Sequence, residues 1–256
     1  MIAASPATRI GQWASCPRPQ RKPRLRLFCL PYAGGGASIY RNWVGELSEQ
    51  IELWTVHLPG RESRLADPAI SDLKQLAAEA SIGLQPFLSR PYAFFGHSMG
   101  SLIAFELTRR LRQQGRSPPA CVAVSAAPGP HVAKVKNPIH GLPLPAFLRE
   151  LKILNGTPTE VFANSELLEL MLPMLRADFC AVESYRYQPE DVLDCPILTF
   201  GGASDAQVSR DELEAWREQT TGSFSLKIFP GDHFYFRANR TDLLTHLARD
   251  LALLPL

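Results

Sequence analysis

A serine in the first half of the 256-residue chain occupies the pattern Gly-x-Ser-x-Gly, at residues 96–100. An apolar run at 92–95 precedes the pattern, and an amphipathic stretch at 99–114 follows it. A serine at a sharp strand-to-helix turn exposes its hydroxyl, and the N-terminus of the following helix favours a developing negative charge. The context therefore predicts that Ser98 is a nucleophile in acyl-transfer chemistry.

A serine nucleophile requires a base, and the base requires an acid that orients it. His233 is the best-placed histidine, because it follows the apolar run Phe224–Phe229 in a loop. Asp205 follows the run at 195–200, so it would lie at the carboxyl end of a strand, where sites of open parallel sheets form. Asp232 is the alternative acid, but it adjoins His233 and the two side chains would have to fold back on each other. We favour Asp205.

A glycine-rich loop at residues 30–36 follows the first apolar run of the main body of the chain. Glycines allow a backbone to approach a substrate closely. We expect one N–H group of this loop and the N–H group of Met99 to stabilise an oxyanion. No Gly-Lys-Ser/Thr sequence ends the loop, which argues against a phosphate-binding loop.

Apolar runs that alternate with helical patterns must position these residues. Such alternation predicts βαβ units and an α/β fold with a mostly parallel central sheet flanked by helices. The expected strands are 25–30, 51–56, 92–95, 121–125, 195–200 and 224–229, and the expected helices are 40–47, 72–85, 99–114 and 241–254.

Residues 128–189 interrupt this alternation with five prolines and then helical patterns at 145–152 and 166–185. The second pattern has an apolar surface too broad for one core stripe, and Pro173 should kink or divide the helix. We interpret the segment as a helical lid, inserted before the strand that precedes Asp205. Residues 23–127 and 190–256 then form the core of the domain.

The composition excludes several classes of protein. The chain is 45% hydrophobic and 20% charged, which is typical of a globular protein, and its net charge of +2 gives no case for nucleic-acid binding. Its apolar runs are shorter than the ~20 residues that span a bilayer, so we expect no membrane association. Five widely spaced cysteines and no Cys/His cluster argue against zinc or a disulfide framework, and we expect a cytoplasmic protein.

The first 45 residues contain seven Lys and Arg residues and no Asp or Glu. We interpret residues 1–22 as a flexible basic leader. A transit peptide is the alternative, although the prolines of this segment suit no amphipathic helix.

Five segments together resemble the type II, or external, thioesterases of polyketide and nonribosomal peptide synthesis, which are stand-alone α/β-hydrolases. The resemblance extends from about residue 24 to residue 254, and it implies an α/β-hydrolase fold. It also implies a catalytic triad of Ser98, Asp205 and His233, with the N–H groups of Ala33 and Met99 as oxyanion donors. The five segments are 31–35, 58–62, 96–100, 201–205 and 231–234. The role of segment 58–62 stays open.

The resemblance implies an enzyme that hydrolyses acyl groups from the phosphopantetheine thiol of acyl or peptidyl carrier proteins. It implies no metal and no cofactor. Two alternatives remain: a generic carboxylester hydrolase or lipase, and a non-catalytic module that binds carrier proteins.

The substrate chamber and the docking surface are further expectations. His97 is adjacent to Ser98 in sequence, and we expect it in the pocket wall rather than as the base. Carrier proteins of the resembled family are acidic, so a local basic patch should dock them. The expected chamber residues are Tyr32, His97, Met171, Leu172, Leu175 and Phe234, and the expected docking residues are Arg61, Arg64, Lys134 and Lys136.

Overall fold

Six apolar runs of the chain form the parallel strands of one sheet. The computed structural model describes residues 12–135 and 137–255. A short edge strand pairs antiparallel with its neighbour, and the remaining pairs are parallel. The strands are β1 (Ala14–Ser15), β2 (Leu25–Leu30), β3 (Ile51–Val56), β4 (Tyr92–His97), β5 (Val122–Ser125), β6 (Ile197–Gly202) and β7 (Phe224–Phe229), in the spatial order β1-β3-β2-β4-β5-β6-β7. The predicted α/β fold with a mostly parallel sheet is confirmed.

Helices cover both faces of the sheet, which explains why the central strands are apolar throughout. On one face, α1 (Leu73–Leu84) and α2 (Met99–Gln113) pack in a shared apolar cluster. On the other face, α7 (Arg240–Ala252) packs with a 3₁₀ turn at Ala37–Trp43. A short helix, α6 (Arg210–Glu214), follows β6. The carboxyl ends of the strands are therefore free to carry the site.

The 3₁₀ turn replaces the helix that we expected at 40–47. Tyr40 and Trp43 are fully buried in it, and the Tyr40 hydroxyl donates a hydrogen bond to the carbonyl oxygen of Leu30. Gly45 has a φ of 91°, in the left-handed region where an α-helix cannot continue. Aromatic burial and this glycine thus override the helical pattern.

Part of the expected flexible leader is ordered, so that expectation is wrong for residues 14–15. They form β1, and the carbonyl oxygen of Trp13 accepts a hydrogen bond from the N–H of His57 at 2.8 Å. The Arg64 guanidinium lies 4.2 Å from the centre of the Trp13 ring. Trp13 therefore anchors the segment to the core, a contact that its basic composition does not indicate. Residues 1–11 lie outside the described residues.

Three helices between β5 and β6 form a separate layer above the sheet. They are α3 (Leu144–Leu154), α4 (Thr159–Ala163) and α5 (Ser165–Ser184), and all lie within residues 128–189. We call this layer the lid. Its own apolar cluster contains Phe147, Leu151, Met174 and Leu175.

Pro173 lies inside α5 without dividing it, so the expected division is wrong. A proline removes one backbone hydrogen bond, which the surrounding packing can offset. Met174 and Leu175 are buried directly after it, and Asp178 forms an ion pair one turn later. Tertiary contacts therefore keep the helix continuous beyond Pro173.

The described part of the chain contains no helix of the length and apolar character that a bilayer crossing requires. Across residues 12–135 and 137–255, no three His, Cys, Asp or Glu side chains are grouped as metal ligands. All five cysteines have free thiols.

Candidate active site

Ser98 lies on the tight turn between β4 and α2. Its backbone has a φ of 52° and a ψ of −116°, which is unfavourable for a residue with a side chain. The Ser98 N–H donates a hydrogen bond to the carbonyl oxygen of Ser125 at 2.7 Å, which fixes the turn against β5. Such backbone strain persists where the surrounding structure holds the residue in place. In a turn of this kind the serine side chain points outward from the sheet, and the Ser98 side chain is half-buried.

The two glycines of the pattern are required by close backbone packing. A Cβ atom at Gly96 would overlap the carbonyl oxygen of Gly100. A Cβ atom at Gly100 would overlap the carbonyl oxygen of Leu30, on the adjacent strand. Neither obstacle is a flexible side chain, so the turn admits only glycine at these two positions.

His233 and Asp205 meet at the carboxyl ends of β6 and β7. The His233 Nδ1 atom lies 2.9 Å from Asp205 Oδ2, and the two side chains are 8% and 1% exposed. The other carboxylate oxygen of Asp205 accepts hydrogen bonds from the N–H groups of Gln207 and Val208, at 2.8 and 3.2 Å. The carboxylate is therefore fixed on one side and directed at the imidazole on the other.

Asp232, the alternative acid, faces elsewhere. It is exposed, and its carboxylate accepts a hydrogen bond from the Phe234 N–H at 2.8 Å. The geometry favours Asp205 as the partner of His233.

Ser98 and His233 line one cavity of about 210 Å³. Its walls come from α2 and the end of β5 on the core side, and from Val182, Tyr185 and Arg186 on the lid side. Among the described residues, no hydrogen bond joins the Ser98 hydroxyl to the His233 ring. Catalytic hydrogen bonds are often long before a substrate is bound, and they shorten in the complex.

Two backbone N–H groups are candidates for binding an oxyanion. Met99 is the first residue of α2, and Ala33 lies in the loop after β2. Within the described structure, neither N–H donates a hydrogen bond to another residue. Gly34 has a φ of 82°, and its N–H donates to Asp178 Oδ2 at 2.8 Å. The loop is thus shaped by a left-handed residue and tied to the lid.

The expected chamber residues are distributed over different environments. Tyr32 and Met171 line a second cavity, of about 380 Å³, between the glycine loop and the lid. Leu175 and Phe234 are buried in apolar packing, and Leu172 is half-buried against the apolar cluster of the lid. Tyr32 and Met171 therefore line the same cavity. The side chains of Leu172, Leu175 and Phe234 contribute to apolar packing.

His97 is fully buried beside the site. Its Nδ1 atom lies 2.9 Å from Ser125 Oγ, which in turn lies 2.7 Å from the Tyr235 hydroxyl. Burial lowers the pKa of His97 well below its ordinary value, so the ring is neutral at pH 7. Its ring centre is 5.2 Å from that of His233, so the His97 ring packs behind the His233 ring.

The expected docking patch is wrong for Arg61 and Arg64, because both side chains are buried. Arg61 forms an ion pair with Asp178, and Arg64 forms one with Asp67 at 2.7 Å. Lys134 is exposed and lines the Ser98 cavity together with the exposed Arg186, which the sequence reasoning missed. Lys136 lies outside the described residues.

Comparison with known proteins gives a consistent result. Residues 25–251 match the family model described as "Thioesterase domain". The chain is 39% identical to the gramicidin S biosynthesis protein GrsT of Aneurinibacillus migulanus over 246 residues, which cover 96% of both chains.

Two solved structures are similar to this chain. The type II thioesterase BorB from the borrelidin biosynthetic cluster is 37% identical, with 93% of this chain and 96% of that chain covered and a TM-score of 0.85. YbtT, a type II thioesterase from the yersiniabactin NRPS/PKS biosynthetic pathway, is 31% identical, with 93% and 97% covered and a TM-score of 0.83.

Proposed function

The chain belongs to the thioesterase family of α/β-hydrolases, and from this premise we propose that it hydrolyses acyl groups from the phosphopantetheine thiol of carrier proteins. The carriers would be those of nonribosomal peptide or polyketide synthesis, the pathways in the names of its relatives. The observation that carries the proposal is one cavity that holds Ser98, on a strained turn, and His233, paired with Asp205.

The first half-reaction forms an acyl-enzyme. Ser98 Oγ attacks the thioester carbonyl carbon while His233 Nε2 takes the hydroxyl proton, and the carbonyl electron pair moves to oxygen. The Asp205 carboxylate holds the imidazole in the required tautomer and stabilises the imidazolium. When the tetrahedral intermediate collapses, the carbon–sulfur bond breaks and the departing thiolate takes the proton from His233.

The second half-reaction releases the acid. A water molecule gives a proton to His233 and attacks the ester carbonyl, and the same two N–H groups bind the new oxyanion. Collapse breaks the bond to Ser98 Oγ, which takes the proton back. Because N–H donors are already oriented where charge develops, they stabilise the transition state without reorganisation.

The acyl chain requires a chamber beside the reacting carbonyl. We propose that the larger cavity, lined by Tyr32 and Met171, takes this chain. Its lining is mostly apolar, and it lies against the same glycine loop that carries the Ala33 N–H. Methionine is unbranched and adaptable, which suits a chamber that accepts more than one chain length.

The carrier protein requires a docking surface near the mouth of the Ser98 cavity. Lys134 and Arg186 are exposed cations on the rim of that cavity. An acidic carrier would meet them on encounter, since charges at a rim mainly affect association.

One experiment tests the proposal against its alternatives. The pure protein is incubated with acyl-carrier protein, acyl-CoA and a nitrophenyl ester, and the release of thiol or phenol is followed. We expect the largest kcat/KM with acyl-carrier protein. Turnover of the nitrophenyl ester alone would indicate a generic carboxylester hydrolase, and carrier binding without turnover would indicate a non-catalytic module.

A further inference from the structure

Arg61, in segment 58–62, forms a buried ion pair with Asp178 of the lid. Arg61 Nη1 and Nη2 each donate a hydrogen bond of 2.7 Å to a different carboxylate oxygen of Asp178, on α5. The two side chains are 5% and 1% exposed. This two-pronged geometry fixes both the distance and the orientation of the partners. The lid helix is therefore held in one position relative to the segment.

The same two side chains also hold the glycine loop. Asp178 Oδ2 accepts a hydrogen bond from the Gly34 N–H at 2.8 Å, and Arg61 Nη1 donates one to the Gly35 carbonyl oxygen at 3.0 Å. Gly34 directly follows Ala33. Asp178 thus fixes the peptide group that directly follows Ala33, and Arg61 fixes the one that follows Gly35.

Glu62 holds the start of the 3₁₀ turn that directly follows the loop. Its carboxylate accepts hydrogen bonds from the N–H groups of Ala37 and Ser38, at 2.9 and 3.1 Å. Glu62 has a φ of 47°, a costly backbone conformation for a residue with a side chain. A Cβ atom at Gly36 would overlap the Glu62 carboxylate, so the carboxylate can occupy this position only because residue 36 is a glycine. Two consecutive residues of segment 58–62 therefore fix the loop and the turn that follows it: Arg61 bonds Gly35, and Glu62 bonds Ala37 and Ser38.

Stability alone is a weak reason for such an arrangement. Burying two charges costs desolvation energy, and apolar residues of similar size are often as stable. Apolar residues could not supply a carboxylate that accepts a hydrogen bond from the Gly34 N–H, or a guanidinium that donates one to the Gly35 carbonyl oxygen.

We propose that Arg61 and Asp178 are positioning residues for the oxyanion hole, holding the Ala33 N–H in its donor orientation only while α5 is seated on the core. This proposal rests on the proposed function, because it assigns Ala33 as an oxyanion donor. Since Asp178 belongs to the lid, movement of α5 away from the loop would release Gly34. The position of the lid and the competence of the oxyanion hole are thereby coupled.

The test requires variants that separate positioning from folding. Asp178→Asn leaves Arg61 buried without a counter-charge and can unfold the chain. The double variant Arg61→Met/Asp178→Leu removes both charges and keeps apolar packing, so its fold should survive. Arg61→Lys keeps the charge but loses the two-pronged geometry, and it gives the same readout if the double variant does not fold.

Glu183→Gln is the matched control. Glu183 is also a buried carboxylate on α5, and it accepts hydrogen bonds from the backbone N–H groups of Ile139 and His140, away from the glycine loop. Its loss should lower Tm without changing kcat. A drop in kcat of equal size in this control would show that any disturbance of α5 impairs the enzyme, and would contradict a specific role for the ion pair.

The first readout is steady-state kinetics on an acyl thioester. Removing one oxyanion donor typically costs about 10²–10³-fold in kcat, so a displaced donor should cost at least ~10-fold, with KM little changed. A folded double variant with the kcat of the wild type would overturn the proposal.

The second readout is the affinity for an alkyl trifluoromethyl ketone. Ser98 Oγ adds to its carbonyl carbon, the carbonyl oxygen becomes an oxyanion, and the serine proton moves to His233. The double variant should bind this inhibitor at least ~10-fold more weakly, whereas Glu183→Gln should bind it as the wild type does. Equal affinity in all three proteins would also overturn the proposal. If the wild type hydrolyses no thioester, the proposed function fails, and this inhibitor series still decides the role of the ion pair.

Discussion

The N–H groups of Met99 and Ala33 would bind the same oxyanion, but the structure fixes them in different ways. Met99 is placed by the turn in which it lies, between β4 and α2, and by glycines two residues on either side of Ser98. Ala33 is placed by Asp178 and Arg61, which act on the peptide groups that follow it. The Met99 N–H depends on a local turn. The Ala33 N–H also lies in a local turn, closed by a hydrogen bond of 2.9 Å from the Gly35 N–H to the Tyr32 carbonyl oxygen, but that turn has tertiary contacts with the lid in addition.

The difference matters for how each donor responds to change. The turn around Ser98 is held by the backbone of the adjacent strands, at Ser125 of β5 and Leu30 of β2. The glycine loop is bonded to a helix that lies 144 residues away in sequence, through the Gly34 N–H and the Asp178 carboxylate. We therefore expect variants near Ser98 to lower kcat or the stability of the fold. Variants near the lid should change the preference for acyl chains, or the link between the position of the lid and the Ala33 N–H.

The largest effect should come from the locally fixed region. Ser98→Ala removes the proposed nucleophile, and in comparable triads such a loss costs about 10⁶-fold in kcat. Thiol release from acyl-carrier protein measures the loss, and circular dichroism and Tm confirm that the variant is folded. A folded Ser98→Ala protein with wild-type turnover would remove Ser98 from the mechanism.

The second prediction compares two candidate acids for His233: Asp205, which is distant in sequence, and Asp232, which is adjacent. Asp205→Asn should lower kcat by roughly 10⁴-fold, because the imidazole loses the carboxylate that orients it. Asp232→Asn, at an exposed residue that bonds only backbone, should cost much less. The reverse order of the two effects would assign the acid to Asp232.

A third prediction tests the rigidity of the turn itself. Gly100→Ala places a Cβ atom against the carbonyl oxygen of Leu30. It should therefore lower the free energy of unfolding by about 1–3 kcal/mol. Gly141→Ala, where an added Cβ meets nothing within 4 Å, is the matched control and should leave stability within about 0.5 kcal/mol of the wild type. Denaturant titration measures both. Equal stabilities would show that the turn can relax.

The same division explains what could be predicted from the sequence. Strands β2–β7 are apolar runs bounded by turn residues, so their pattern indicated them directly. The Ser98 turn has a five-residue signature, and His233 and Asp205 follow strands whose carboxyl ends meet. These features depend on neighbours in the sequence or on a topology that the alternation of strands and helices implies.

What could not be predicted depends on distant partners. Nothing around Arg61 indicates that its partner is Asp178, and an arginine in a polar loop is ordinarily read as exposed. Trp13 pairs the expected leader with β3, and burial of Tyr40 and Trp43 converts an expected helix into a 3₁₀ turn. In each case a tertiary contact decides the outcome, and no local pattern records it.

The fourth prediction concerns the lid side of the glycine loop. Met171→Trp should narrow the larger cavity and shift the preference of the enzyme toward short acyl groups. Ile153→Trp, at a lid residue that is 73% exposed, is the control and should leave the preference unchanged. The ratio of kcat/KM for short and long acyl-CoA substrates measures the shift. An equal fall on both chain lengths together with a lower Tm would make Met171 a packing residue.

The smallest effect should come from the rim of the Ser98 cavity. Lys134→Glu/Arg186→Glu should raise KM for acyl-carrier protein several-fold and weaken its salt dependence, because rim charges mainly affect encounter. The kcat/KM for a nitrophenyl ester should not change. Equal losses on both substrates would indicate damage to the site, and no change on either would exclude the two cations from docking.

The most direct test of the account is the chemical identity of the intermediate. The protein is mixed with an acyl thioester, quenched with acid within the first turnover, digested, and analysed by mass spectrometry, with Ser98→Ala treated in parallel. We expect the acyl mass on the peptide that contains Ser98, and we expect it to be absent from the variant. Thiol release without any acylated peptide, or with the acyl group on another residue, would contradict this expectation.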